Sequence, residues 1–331
     1  MKVVVLYDAV PENAHPDHLD VLAQAKAVSG ILSGIGYEPV EVSLSLDLKA
    51  LVDTLKRILP TLVFNLVESV DGQGNLAPLA TAILDHLRIP YTGSKTAALF
   101  LTSHKLITKK LLSKSFIATP PGFSSRDLEN DHLRGEGLYI IKSLWEHASL
   151  GLDDDSVIFA EDSEQLALAL ELRQQTFGGE CFAERYIEGR EFNLSLLASA
   201  GKPEVLPPAE IRFEDYPPNK RKIVDYRAKW DETSFEYIHT SRRFHFAPED
   251  GPLLQKMIGI AKKCWDLFGL RGYARVDFRA DEAGKPWVLE INANPCISPD
   301  AGFVAAAMQG GLGMGEIVAR IISAAGPHKN Y

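Results

Sequence analysis

Two segments near the C-terminus govern the reading of this chain. They are Gly272-Tyr273-Ala274-Arg275-Val276-Asp277-Phe278 and, beyond the turn Asp281-Glu282-Ala283-Gly284, Pro286-Trp287-Val288-Leu289-Glu290-Ile291-Asn292-Ala293-Asn294-Pro295. Apolar and polar residues alternating about a Gly-containing turn spell a half-buried β-hairpin. Side chains two apart share a face, so Arg275 lies with Asp277 and Glu290 with Asn292. A turn centred between Ala283 and Gly284 sets Asp277 opposite Glu290, and Arg275 opposite Asn292. Facing carboxylates repel by up to about 1 kcal/mol unless a cation joins them. Mg2+ suits that role, because it takes oxygen ligands, one or two carboxylates and substrate phosphates. Asn292 adds a neutral oxygen, and Arg275 a planar cation fit to hold an oxyanion. The same alternation also suits a solvated face closed by a cross-strand salt bridge.

Working outward, the first hundred residues alternate strand and helix patterns. Strands are expected at Val3–Tyr7, Val40–Leu44 and Leu62–Val67, with helices over 18–35, Leu48–Leu59 and Pro78–Leu87. That order implies a parallel sheet covered on both faces. An amphipathic helix over 103–114 precedes the breaker Thr119-Pro120-Pro121-Gly122. Tyr139–Lys142 and Val157–Phe159 read as strands of a second unit, followed by a helix from Asp162 to Phe177. Beyond Cys181 the pattern predicts hairpins at Cys181–Ile187, Phe192–Ser199 and Glu204–Arg212. Residues 214–245 read as a long covering loop, and Pro252–Phe268 as a strong helix with Leu254, Met257, Ala261, Cys264, Trp265 and Phe268 on its apolar stripe.

Lys142 ends an apolar strand and needs an anionic partner; Lys105 lies on the helix before the breaker. The loop holding Ser149 and Gly151 offers a hydroxyl and backbone N–H groups to a phosphate. Each lysine taken alone also suits an ordinary solvated surface. Cys181–Glu191 is an apolar strand with one Glu, Glu184, inside it that leads to a Gly turn and a second Glu, a pattern able to meet an adenine and a ribose; Glu188, Arg190 and Glu191 at the turn equally suit plain solvated charges.

Composition narrows the classes. The 331 residues carry 35 Lys and Arg against 44 Asp and Glu, a net charge of −9, which disfavours a general nucleic-acid binder. Three scattered cysteines make neither a disulfide framework nor a zinc site, and point to a reducing compartment. No apolar run is long enough to span a membrane, and the N-terminus reads as a strand, so a cytoplasmic protein without membrane partners is expected.

These pieces together resemble the ATP-grasp superfamily, and most closely the D-alanine–D-alanine ligase family. The matching segments, in family order, are Tyr91-Thr92-Gly93-Ser94, His104-Lys105, Ile141-Lys142 with His147-Ala148-Ser149-Leu150-Gly151, Glu184 through Glu191, Tyr226-Arg227-Ala228-Lys229, Arg275-Val276-Asp277 and Leu289–Pro295. The resemblance implies an α/β and α+β ATP-grasp fold. A parallel-sheet domain over 1–101 would precede two antiparallel-sheet domains, 102–187 and 188–331, that enclose ATP. It implies that Lys105, Lys142 and Ser149 meet the phosphates, that Glu184, Tyr186 and Ile187 line the adenine pocket, and that Glu191 takes the ribose. Lys229 would reach the γ-phosphate. Asp277, Glu290 and Asn292 would hold two Mg2+ ions, or Mn2+, and Arg275 the oxyanion. The implied reaction joins a carboxylate to an amine through an acyl phosphate, on small amino-acid or peptide substrates, in a possible homodimer.

Departures from the family pattern fall around the amino-acid pockets. The N-terminal Gly-Gly-x-Ser-x-Glu signature is absent, leaving Asp17 or Glu12 as substitutes; His15 with His18 reads as surface. Val67-Glu68 replaces a His-Gly pair at a strand end where ligands bind in such sheets. Trp230 replaces Tyr, His104 replaces Asp, Cys296 replaces Gly, and Asp300-Ala301-Gly302 replaces the Ser-Leu pair that meets the acceptor carboxylate. The expected main product is therefore not D-alanyl-D-alanine. The alternatives are a nucleotide-binding regulatory protein with a decayed site and a two-lobed solute-binding module.

Overall fold

The computed structural model describes residues 1–10, 16–130, 135–145, 149, 151–177 and 179–326, with backbone alone at 16–18 and 177. Its first unit runs β1 (Lys2–Asp8), α1 (Pro16–Gly34), β2 (Glu38–Leu44), α2 (Leu48–Ile58), β3 (Leu62–Asn65) and α3 (Pro78–Leu87). The strands form a parallel sheet in the order β2-β1-β3. β1 is apolar throughout its middle because both faces are covered. Val3 and Val5 pack with Ala25, Val28 and Leu32 of α1, whereas Val4 and Leu6 pack with Leu51, Leu55 and Leu84 of α2 and α3. β3 stops at Asn65, short of the expected Val67.

Next come α4 (Thr96–Ser103) and α5 (Lys105–Lys114). The helix expected over 103–114 therefore starts two residues later, and Ser103 belongs to α4. His104 makes the break: its backbone is extended, and its Nδ1 accepts from the Ile107 N–H at 3.3 Å, capping α5.

The second unit comprises β4 (Gly122–Phe123), α6 (Ser125–Glu129), β5 (Gly137–Ser143), β6 (Val157–Ala160), α7 (Ser163–Phe177) and β7 (Cys181–Arg185). Its antiparallel sheet has the order β4-β7-β5-β6. The third contains β8 (Arg190–Ser199), β9 (Lys202–Val205), β10 (Ala209–Phe213), α8 (Tyr226–Trp230), α9 (Phe235–Ile238), β11 (Thr240–Arg243), α10 (Gly251–Phe268), β12 (Tyr273–Ala280), β13 (Pro286–Asn292), α11 (Gly302–Gln309) and α12 (Met314–Ala325). Its six strands run β11-β10-β8-β12-β13, with β9 also on β8.

Three expectations change here. β7 and β8 are not a hairpin but belong to different sheets, and the chain crosses between them at Gly189 (φ 139°). A Cβ at Gly189 would lie 2.0 Å from the Ala280 carbonyl oxygen, so only glycine lets this crossover approach β12. The strand expected over Glu204–Arg212 is split into β9 and β10 by Leu206-Pro207-Pro208, where proline removes the ladder donors. The stretch 214–245 is not irregular throughout; it carries α8, α9 and β11.

One face of the six-stranded sheet is sealed. Phe192, Leu194, Val276, Phe278 and Ile291 pack on Met257, Ala261, Cys264, Trp265 and Phe268 of α10, the expected stripe. Polar side chains of the same strands must then face the other way, toward the second unit. Among the described residues no helix is long and apolar enough to cross a membrane.

Candidate functional site

A cavity of about 1020 Å3 opens where the three units meet. Lys105, Lys142, Ser149, Glu184, Tyr186, Ile187, Glu191, Lys229, Arg275, Asp277, Glu290, Asn292, Glu68, Asp300 and Gly302 line it, whereas His104, Gly151, Glu188 and Arg190 do not, Arg190 pairing with Glu210 and Asp250 instead. The side chains of Asp17, Glu12, His15 and His147 lie outside the described residues.

The floor is the six-stranded sheet, and its register explains the cluster. On β12, Arg275, Asp277 and Arg279 share a face. β8 sets Asn193 opposite Asp277 and Glu191 opposite Arg279. On the other side β13 sets Asn292 opposite Arg275 and Glu290 opposite Asp277, as the hairpin register requires. Beyond that pair a bulge shifts the register, Phe278 facing Val288, so that Leu289 and Glu290 both border the cavity.

Arg275 donates to both oxygens of Asp277 at 2.8 Å, and Asn193 Nδ2 donates to Asp277 Oδ1 at 2.7 Å. Burial pushes the Asp277 carboxyl up, Arg275 opposes it, and Glu290 and Glu191 add to the rise. Burial works against the Arg275 charge too, but Asp277 outweighs it and holds the guanidinium's pKa above its usual value. Like-charged carboxylates gathered in an enclosed space favour a cation. Among the described residues no group of three or more His, Cys, Asp or Glu side chains converges as a metal site. Two carboxylates and an amide oxygen nevertheless suit Mg2+, which keeps waters and binds substrate phosphates. The donor set fits that ion.

The roof is the second unit's sheet. Lys142 Nζ donates to Glu184 Oε1 at 2.8 Å, and Lys109 forms an ion pair with the other oxygen. Burial would raise the Glu184 carboxyl, but the two ammonium groups outweigh it and hold it below the usual range. Glu184, expected at adenine, thus gives its carboxylate to two lysines. Lys109 also donates to Thr119 Oγ1 at 3.0 Å, which donates to the Val288 carbonyl at 2.7 Å. The chain Lys142–Glu184–Lys109–Thr119 thereby joins the roof to β13 of the floor. Lys109 escaped sequence reading because, on an amphipathic helix, a lysine suits solvent.

Arg279 was missed too, although the two-residue period from Arg275 marks it. It binds Glu191 Oε2 at 3.0 Å, donates to the Ile187 carbonyl at 2.8 Å, and lies 5.0 Å from the Tyr186 ring centroid. It therefore fixes Tyr186, Ile187 and Glu191, three of the four residues expected around the base and ribose.

The long segment after β10 closes over this space. Ser149 Oγ donates to the Val224 carbonyl at 2.8 Å, the Tyr226 N–H to the Leu152 carbonyl at 3.2 Å, and Lys220 pairs with Asp154. Lys229 on α8 borders the cavity, its ammonium pKa lowered by burial.

The wall from the first unit is acidic. Asp8 accepts from the Glu68 and Ser69 N–H groups at 3.0 and 2.8 Å, and Asp20 accepts from the Ser298 hydroxyl at 2.8 Å. Glu68 is pushed up to about 8 by burial, with Asp8 and Asp20 adding to it. Cys296 lies 3.1 Å from Asp20 Oδ2, and burial pushes its thiol up, unlike a reactive thiolate.

The family described as D-ala D-ala ligase C-terminus matches residues 140–323. An uncharacterised protein of Sinorhizobium fredii is 30% identical over 296 residues, covering 86% of this chain and 82% of that protein. A D-alanine–D-alanine ligase of Moorella thermoacetica is 28% identical over 315 residues, covering 92% and 94%. Among solved structures, a Bacillus anthracis D-alanine–D-alanine ligase complexed with ATP superposes with a TM-score of 0.72 at 19% identity, covering 98% of this chain and 97% of that one. The VanG D-Ala:D-Ser ligase of Enterococcus faecalis gives 0.70 at 17%, covering 98% and 99%. The structural likeness at these identities concerns the ATP-grasp fold.

Proposed function

The chain belongs to the D-alanine–D-alanine ligase family of ATP-dependent C–N ligases, and on that premise we propose that it activates an amino-acid carboxylate as an acyl phosphate and joins it to a second substrate's amine, with a main product other than D-alanyl-D-alanine. The observation that carries this reading is the shared face of Glu191, Asn193, Arg275, Asp277, Arg279, Glu290 and Asn292 beneath a roof of lysines.

In the proposed reaction Lys105, Lys142 and Ser149 bind the phosphates of ATP, Tyr186 and Ile187 border the base, and Glu191 meets the ribose. Asp277, Glu290 and Asn292 would hold Mg2+, which when bound would supply neutralisation of phosphate charge. A substrate carboxylate oxygen attacks the γ-phosphorus, and the bond to the β-phosphate oxygen breaks to release ADP. The amine nitrogen then attacks the carbonyl carbon. Arg275 holds the resulting oxyanion, a donor of a kind worth about 2.7–4 kcal/mol. Collapse expels phosphate, and the amine surrenders its proton. Segment 214–245 excludes water from the acyl phosphate, and Lys229 on it neutralises the transferring group.

The altered pockets support a different product. The acidic wall of Asp8, Asp20 and Glu68 suits a substrate ammonium, and Asp300-Ala301-Gly302 lines the far side. The test is ADP release with Mg2+ and paired amino acids of both configurations, the donor carrying an 18O-labelled carboxylate. The reading predicts 18O in the phosphate released. ADP formation without label transfer overturns the acyl phosphate; release only with D-alanine pairs overturns the product assignment.

A further inference from the structure

Glu68 borders the cavity just after β3, and its main chain is anchored on both sides. Its N–H donates to Asp8 Oδ1 at 3.0 Å, and the Val67 carbonyl accepts from Asn294 Nδ2 at 3.0 Å. Its carboxylate accepts from Gln24 of α1, a side chain only 1% exposed. Gln24 Oε1 accepts from the Ile297 N–H at 2.8 Å, which leaves its amide N–H groups to face Glu68. The titratable and charged groups facing Glu68 are Asp8 of β1, Asp20 of α1, Tyr273 and Arg275 of β12, and Cys296 beyond β13.

Tyr273, Arg275 and Asp277 follow one another on one face of β12. Glu68 acts on the first two, whereas Asp277 lies opposite Glu290, where phosphate is assigned. Arg275 thus stands between Glu68 and the phosphate end. An amine attacking the acyl carbon beside Arg275 arrives as an ammonium and must first lose a proton. Asp8 and Asp20 already commit their oxygens to protein donors, Asp8 to Glu68, Ser69 and the Ser69 hydroxyl, Asp20 to the Ser298 hydroxyl and Cys296 thiol. Glu68 is oriented by a neutral amide, and burial, with Asp8 and Asp20, pushes its carboxyl up to about 8. That value is near an α-amino group's, so a proton passes between them close to balance. Transfer to an ordinary carboxylate would be roughly a thousandfold uphill.

We propose that Glu68 is a catalytic residue, the base that takes a proton from the acceptor's ammonium, with Gln24 as its positioning residue. This rests on the ligase reading above. The ammonium gives one proton to a Glu68 oxygen, and the freed lone pair forms the bond from nitrogen to the acyl carbon. Collapse breaks the bond from that carbon to the phosphate oxygen. Phosphate leaves with the electron pair and takes the second proton from nitrogen. Glu68 returns its proton to water as the product departs.

The experiment separates the half-reactions in wild type, Glu68→Gln and Gln24→Leu, for a substrate pair that turns over. Activation of the donor is read without acceptor, as scrambling of 18O from the β–γ bridge of ATP in the presence of Mg2+. The second step is read as ligated product with the amine, and as hydroxamate with hydroxylamine, which is unprotonated at neutral pH and needs no base. Glu68→Gln is expected to keep scrambling and hydroxamate formation while kcat for ligation falls about a hundredfold or more. Gln24→Leu should lower kcat about tenfold and move its rise with pH upward, because Gln24 favours the ionised carboxylate. Loss of hydroxamate formation in Glu68→Gln assigns Glu68 to holding a substrate and overturns its role as base. Ligation by Glu68→Gln at the wild-type rate overturns it too, and in both cases the ligase reading stands. Absence of scrambling and of ADP release by wild type with every donor overturns that reading and this inference with it.

Discussion

Lys109 of α5 and Glu184 of β7 form an ion pair inside the protein, their side chains 5% and 2% exposed. The pair stands at the junction of the two antiparallel sheets, since Lys109 reaches β13 through Thr119 while Glu184 holds Lys142. Removing one partner of a buried pair leaves a charge without compensation, which costs more than the pair contributes. Glu184→Gln, which leaves the buried Lys109 ammonium without its carboxylate, is therefore expected to lower unfolding free energy by about 3–5 kcal/mol, measured by urea denaturation. Lys109→Met with Glu184→Gln should lose less than the sum of the single changes. Strict additivity would mean that the two groups do not act as a unit.

Glu68 gives stability a definite pH dependence. Its folded pKa, about 8, lies above the ordinary value of 4.5. Between those values the folded state holds a proton that the unfolded state has lost, so this group's contribution falls as pH rises and levels off above about pH 8. The group keeps part of its surface open to the cavity, which limits the effect to about 2–3 kcal/mol. Glu68→Gln should match wild type near pH 4 and exceed it near pH 9 in urea denaturation. A constant difference across that range would contradict the assignment.

Gly189 is the crossing point between the sheets. Its φ of 139° and the 2.0 Å approach of an added Cβ to the Ala280 carbonyl leave no room for alanine. Gly189→Ala should destabilise by ~2 kcal/mol or more. The fall in thermal midpoint should exceed that of Gly284→Ala, where positive φ is present but no atom lies within 4 Å. Equal shifts would show that the close approach to β12 carries no cost.

Much of this fold was legible because its signals are local. The β1 run, the α10 stripe and the 272–294 hairpin each follow from periodicity within one segment, and the register Asp277–Glu290 came from turn position alone. Which sheet a strand joins depends on contacts far along the chain, so β7 and β8 read as a hairpin when they are not. The roles of Lys109, Asp8 and Asp20 were hidden for the same reason. Their residue types are ordinary at a surface, and only the packing of distant elements turns them inward.

The account rests on Asp277 and Glu290 gathering magnesium-bound nucleotide between the two sheets. Calorimetric titration of the full chain with a non-hydrolysable ATP analogue tests it most directly, with and without Mg2+, in wild type and Glu290→Gln. The expected result is binding by wild type that weakens about tenfold or more when Mg2+ is withheld, and a Glu290→Gln protein that gains little from the ion. Equal affinity in all four titrations, or no binding by wild type with Mg2+, would contradict it.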